Sequence, residues 1–285
     1  MTPKEFIEEV HASPLIPVDF DEKYRIFRGY QELAQNTLDE FKRVCEKNDI
    51  FYRLTFGSLL GAIRDDGPIP WDYDIDVFVS FFDRPKLIEV LRRDLSDSYY
   101  FISYETDSHY SRNILRVTPK GYDSEVLHVD VFFFTGAPDD DFELKQIADE
   151  LTKITRLRYD KFVNLKEASH GRIKWLLAVA IRKLKASFYS NKKLIARYEE
   201  LSMKYNPRDT KRAIDTTLSA NQRIYDAKGL YEVQSYKTMC GEYLIPKGYN
   251  EILKLVYGDY FQLPPLKNRL NEFLKSYEEL EKRKR

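Results

Sequence analysis

Cysteine is scarce, with two in 285 residues, Cys45 and Cys240. They lie far apart and in no CxxC or Cys-His spacing, so no disulfide framework is expected and a reducing compartment is. Net charge is absent too: 46 Lys and Arg balance 46 Asp and Glu, which argues against nucleic-acid binding by the protein as a whole. Long apolar runs are missing. The longest helical-looking one, Trp175 to Ile181, is too short to span a bilayer. The opening MTPKEFIEEVHASPLIP has no basic region followed by an apolar run, so no signal peptide is expected. There is no internal repeat and no low-complexity tract.

What is present is enough apolar material, 43%, for one large domain or two modest ones with a real core. The 21 tyrosines and 18 phenylalanines suit strands and concave sugar or base sites, and they are also ordinary core residues. Charge is uneven along the chain. Residues 151–205 hold fourteen Lys or Arg against four Asp or Glu, so this segment is +10 and the remainder −10.

A short polar helix and a proline-punctuated link are expected over residues 1–20. An amphipathic helix follows from about Tyr24 to Lys47, with Leu33, Leu38, Phe41 and Val44 at near-helical spacing. Ile50–Thr55 reads as a strand, Phe56-Gly57-Ser58 as a turn and Leu59–Arg64 as a helical turn. Asp74–Phe82 and Val126–Phe134 read as buried strands, the second ended by Thr135-Gly136-Ala137-Pro138. Residues 85–95 read as a helix, and 99–105 and 112–118 as two strands. Residues 141–205 look mostly helical and basic, and the chain after Asn206-Pro207 irregular. Short strands are expected within 231–245, a helix over 248–257 and a charged terminal helix. The order favours an α/β (α+β) mixed sheet with flanking helices and a helical C-terminal extension. The expected division is a core over 1–140 and a mainly helical basic region over 141–285, with packing as one domain left open.

Three carboxylates carry the chemistry. Asp74 and Asp76 open an apolar strand, where side chains at i and i+2 share a face roughly 6–7 Å apart. Asp130 sits within the apolar stretch LHVDVF, where an unpaired charge would cost several kcal/mol, so it needs a cation, a donor or a cleft. Neighbouring strands would gather all three acids. Carboxylates and water suit Mg²⁺ or Mn²⁺, and the third acid could take a proton from an attacking hydroxyl. The plainer reading makes Asp74 a turn cap, Asp76 a wet sheet residue and Asp130 the partner of a buried base. Gly57-Ser58 adds close backbone approach and a hydroxyl donor for phosphate, although Gly-Ser is a common turn.

These residues meet a known pattern. A Gly-Ser turn, an acid-x-acid strand and a third acid on a later strand resemble the nucleotidyltransferase superfamily. FGSLLGAIRDDGPIPWDYDIDVFV (56–79) resembles more specifically the signature of LicD-family phosphotransferases. HVDVF resembles that family's D-I-F element, and YLIPKGYNEILKLVYGDYFQLPP (243–265) its closing segment. The resemblance covers roughly residues 31–135 and 230–269. It implies a nucleotidyltransferase-like fold and metal-dependent transfer of a phospho-alcohol, most often phosphocholine, from a CDP-alcohol to a carbohydrate, with release of CMP. The implied acceptors are teichoic acid, lipopolysaccharide or other cell-surface glycan precursors. It also implies Asp74, Asp76 and Asp130 as metal ligands, with Asp130 the favoured base, and Gly57, Ser58 and Arg64 as donor contacts. Two positions depart from the pattern. Asp65-Asp66 replaces a His-Lys pair, and Tyr73 replaces the middle acid of W-D-D-D.

Trp71 could stack on a base or on choline, and Asp72 is grouped with the donor-binding residues. Trp71 also reads as a packing anchor and Arg64 as an ion-pair partner. Arg112 and Arg116 could face the cleft, whereas His128, two residues before Asp130, reads as structural. Residues 172–185 are apolar with cationic ends and could lie on an anionic membrane near a lipid-linked acceptor, with contact through 172–193, or pack as a core helix with a basic face. The expected location is cytoplasmic, with peripheral contact at the inner membrane face. Two other functions remain open: attachment of NMP to a small molecule or protein, and glycan binding without catalysis.

Overall fold

A computed structural model of the chain describes residues 1–165, 173–217 and 223–282. The elements begin with α1 (Pro3–His11), α2 (Phe20–Lys47), β1 (Tyr52–Leu54), α3 (Phe56–Arg64), β2 (Ile75–Ser80), α4 (Arg84–Asp94), β3 (Tyr99–Ile102), β4 (Leu115–Pro119) and β5 (Val129–Ala137). Then come α5 (Asp141–Phe162), α6 (Ile173–Ser187), α7 (Asn191–Ser202), β6 (Arg212–Asp215), β7 (Ile224–Asp226) and α8 (Ala227–Tyr231). The hairpin β8 (Val233–Thr238) and β9 (Gly241–Pro246) precedes α9 (Tyr249–Tyr257) and α10 (Leu266–Lys282). The fold is α/β, with helices packed on a mixed sheet. Part of the expected helical run, residues 166–172, lies outside the described residues, and with it Lys166 and Arg172 of the basic segment.

The sheet is ordered β1-β2-β5-β4-β3, with β6 added to β5 and β7 to β6. β2 and β5 are its parallel centre. Their near-continuous apolar runs suit strands covered on both faces, and Val77, Phe78, Val79, Phe133 and Phe134 are fully buried. β5 has a divided edge. Val129–Val131 pair with β4 and Phe134–Ala137 with β6.

β5 therefore runs on to Ala137 instead of ending at Thr135. Gly136 permits this, because a Cβ there would meet the Asn206 backbone at 2.9 Å, and its N–H donates to the Tyr205 carbonyl at 2.9 Å. The stretch after Asn206, expected to be irregular, supplies β6 and β7 to the same sheet.

α2 is longer than expected, starting at Phe20. It buries Phe20, Tyr24, Phe27, Gln31, Ala34, Leu38 and Phe41, a stripe at three- and four-residue spacing. α1 starts with Pro3 behind a reciprocal Thr2–Glu5 capping box. Its Phe6 packs on Phe20, Tyr24 and Trp71. Burying such a ring contributes about 2–3 kcal/mol, so α1 fixes the outer side of the loop carrying Trp71.

Candidate active site

The Gly57-Ser58 pair is not a turn before the helix but the first turn of α3 itself. The entry is strained: Phe56 has φ +44°, a left-handed value that bulky side chains avoid. Its ring packs on Phe78 and Phe132 of the central strands, which offsets the strain and aims the helix start at the strand ends. The Asp76 N–H donates to Ser58 Oγ at 2.8 Å. That occupies a lone pair of the hydroxyl and leaves its proton available to a ligand.

Asp76 and Asp130 face each other across the parallel β2–β5 pair. Asp74 stands exposed just before β2, and Asp76 is half-buried. Asp72 completes an acidic row, its carboxylate accepting the Asp74 N–H at 3.3 Å. Gly57 is needed beside it, because a Cβ there would come to 3.0 Å from Asp72 Oδ2. Gln31, buried on α2, holds this loop by donating its amide to the Ile69 carbonyl at 2.9 Å and to the Asp72 carbonyl. The sequence offered one signal for it, a polar residue on the apolar stripe of α2.

Electrostatics divide the acids. Burial pushes Asp72, Asp74 and Asp76 above the usual carboxylate range, and repulsion from neighbouring carboxylates adds to each. Asp74 reaches solvent, which screens part of its share. Burial acts on Asp130 in the same sense but is outweighed by His128 and Arg116, which hold its carboxyl well below that range. Arg116 Nε donates to Asp130 Oδ1 at 2.7 Å, and His128 Nε2 lies 3.4 Å from the same oxygen. Asp130 Oδ2 has no partner among the described residues. Arg116 also meets Glu125 at 2.7 Å, and Arg112 meets Glu125 at 2.9 Å. Asp130 is thus already charge-paired, while Asp72, Asp74 and Asp76 form no ion pair among the described residues.

That row fits a divalent cation in charge and donor type. Among the described residues, no three His, Cys, Asp or Glu side chains form a ready metal cage. Mg²⁺ commonly uses one or two carboxylates and fills its shell with water and substrate phosphate, so two acids suffice.

Two cavities border the acids, one through Asp72 and the other through Asp130. Gly57, Arg64, Trp71 and Asp72 line one of about 260 Å³, closed by Tyr257, Asp259 and Tyr260. Within it Arg64 is held by Asp65 at 2.7 Å. Trp71 is buried, with the Arg64 and Arg269 guanidiniums 5.6 and 5.2 Å from its ring. Burial and the nearby Asp76 and Asp72 push the Tyr257 phenol above its ordinary range, so it stays protonated. Asp130 and Phe132 floor the second cavity, about 500 Å³, which Arg112, Arg156 and Arg182 rim.

The α/β sheet thus bears paired acids at the ends of two parallel strands, beside a Gly-Ser helix start. Residues 49–176, from just before β1 into α6, match the family described as LicD/FKTN/FKRP, nucleotidyltransferase domain. The chain is 28% identical over 255 residues, 84% of its length and 92% of the other's, to the lipopolysaccharide cholinephosphotransferase LicD of Haemophilus influenzae. It is also 32% identical over 83 residues, 29% of its length and 31% of the other's, to the uncharacterized protein RP689 of Rickettsia prowazekii. Over residues 49–176 the chain thus carries a segment similar to the LicD-type nucleotidyltransferase domain.

Proposed function

We propose that the protein transfers phosphocholine from CDP-choline to a hydroxyl of a lipopolysaccharide-like or teichoic-acid-like cell-surface glycan, releasing CMP. The observation that carries this reading is the Asp76–Asp130 pair across β2 and β5, with Asp74 at its mouth and Ser58 bonded to Asp76. The likeness to a lipopolysaccharide cholinephosphotransferase supports the choice of group and acceptor.

In the reaction the acceptor oxygen bonds to the β-phosphorus, the bond from that phosphorus to the bridging oxygen breaks, and CMP leaves with that oxygen. Gly57 and Ser58 would hold the donor phosphate at the start of α3, through backbone N–H groups and the free hydroxyl proton. Asp74 and Asp76 would hold Mg²⁺ or Mn²⁺, which when bound draws charge from the transferring phosphoryl group. Asp130 would accept the hydroxyl proton on Oδ2.

The acceptor is proposed to be lipid-linked and met at a membrane surface. Trp175, Leu177, Ile181 and Leu184 of α6 and the following Phe188 are exposed, interleaved with Lys174, Arg182, Lys183 and Lys185. No helix among the described residues is long and apolar enough to cross a membrane, so contact would be peripheral, through 173–193.

Phosphorus NMR tests the reading. CDP-choline, CDP-glycerol and CDP-ribitol are each supplied with a glycan acceptor and with Mg²⁺ or EDTA. The expected result is metal-dependent CMP release from CDP-choline, abolished by Asp74→Asn. Appearance of NMP on the acceptor would instead identify a nucleotidyltransferase.

A further inference from the structure

We propose that the cavity between α3 and the segment after α9 is a pocket for a cationic headgroup, a quaternary ammonium, at the alcohol end of the donor. The inference rests on the phosphotransfer reading and deepens it, because it says why one alcohol is chosen over others.

The cavity of about 260 Å³ touches the acidic row through Gly57 and Asp72. A donor phosphate at the start of α3 would therefore have its alcohol pointing into it. Three carboxylates line it, Asp72, Asp259 and Glu272, and none has an ion-pair partner among the described residues. The one cation among its described lining residues, Arg64, is already held by Asp65.

The ring surface is aromatic as well as acidic. Trp71 already carries two guanidiniums and Tyr260 is buried, whereas Tyr257 is 40% exposed and open to a ligand. Unpaired carboxylates around an aromatic wall attract a poorly hydrated cation by charge and by ring quadrupole. A neutral polyol gains nothing from that charge. It would need matched donors and acceptors in place of the carboxylate-and-ring lining.

Titration of the full chain with phosphocholine and with 3,3-dimethylbutyl phosphate, followed by NMR at fixed Mg²⁺, separates charge from shape. The second ligand replaces the nitrogen by carbon and keeps the size. The wild type is expected to favour phosphocholine on the order of tenfold. Asp259→Asn and Glu272→Gln are each expected to cut that preference severalfold while leaving the affinity for the carbon isostere unchanged. The isostere doubles as the folding control, because a misfolded variant loses both ligands.

Equal affinity of the wild type for the two phosphates, binding of neither, or a preference untouched by both variants would overturn the pocket. The transfer reading is judged separately by turnover. A charge preference with no CMP release keeps the pocket and removes the transferase reading, and CMP release without a charge preference does the reverse.

Discussion

Asp74 and Asp130 are both acids near the centre of the site, yet their surroundings give them opposite pH behaviour. Asp74 is pushed up to about 7, by burial and then by Asp72. A carboxyl raised in this way contributes stability that is fully present below its unfolded value and is lost as pH rises through the folded one. The metal-free protein should therefore lose stability between about pH 4, the ordinary carboxylate value, and about pH 7. Asp74→Asn should flatten that slope and raise the metal-free midpoint at pH 8, by under about 1 kcal/mol given the solvent around it, while removing turnover. Thermal melts in EDTA across pH check this, and an unchanged slope would refute it. Asp130 is held low, so its contribution is present above the ordinary carboxylate range and is lost only as pH falls below that range. Arg116→Met would leave Asp130 buried without its guanidinium and should cost about 3 kcal/mol or more, read as a lower urea midpoint. Arg116 was visible in the sequence as a residue that could face the cleft. The sequence did not reveal that it would neutralise one acid and leave the others bare, because that depends on the antiparallel β4–β5 register, which sets Arg116 opposite Asp130.

Elements read most easily where one local pattern dominated. β2 and β5 were legible as apolar runs interrupted by Asp, and α2 as an apolar stripe. The nearness of Asp76 to Asp130 followed once those strands were neighbours. The start of α3 was not legible. Thr55 precedes it without a side-chain capping bond, and Phe56 enters it in a conformation that no local preference favours. Tertiary packing of Phe56 on Phe78 and Phe132 makes that choice. β6 and β7 were missed because both are short and their partners are distant in sequence. α3 is also pressed onto the loop it leads into, where a Cβ on Gly61 would come to 2.4 Å from the Gly67 carbonyl oxygen. Gly61→Ala should therefore destabilise by about 1–3 kcal/mol and lower kcat as well, since the same loop carries Asp72. A variant as stable and active as the parent would show that the loop yields freely.

At the level of the molecule, the basic half of the charge asymmetry coincides with exposed apolar surface on α6. Binding to vesicles of anionic lipid is expected, weakening as salt rises and falling several-fold when Leu177 and Leu184 are both changed to Ser. Sedimentation that is equal for neutral and anionic vesicles would remove the membrane role.

The divided edge of β5 bears on how the protein is made. Phe134 and its neighbours find their partner in β6 only after α5, α6 and α7 have been synthesised. At about 5–20 residues per second, the growing chain displays an uncovered strand end rich in phenylalanine for several seconds on the ribosome. Slower growth at low temperature, or a holding chaperone, should therefore raise the native yield without moving the unfolding midpoint. The helices that separate β5 from β6 would then act as a timer on biogenesis, setting how long the acid-bearing strand waits for its last neighbour.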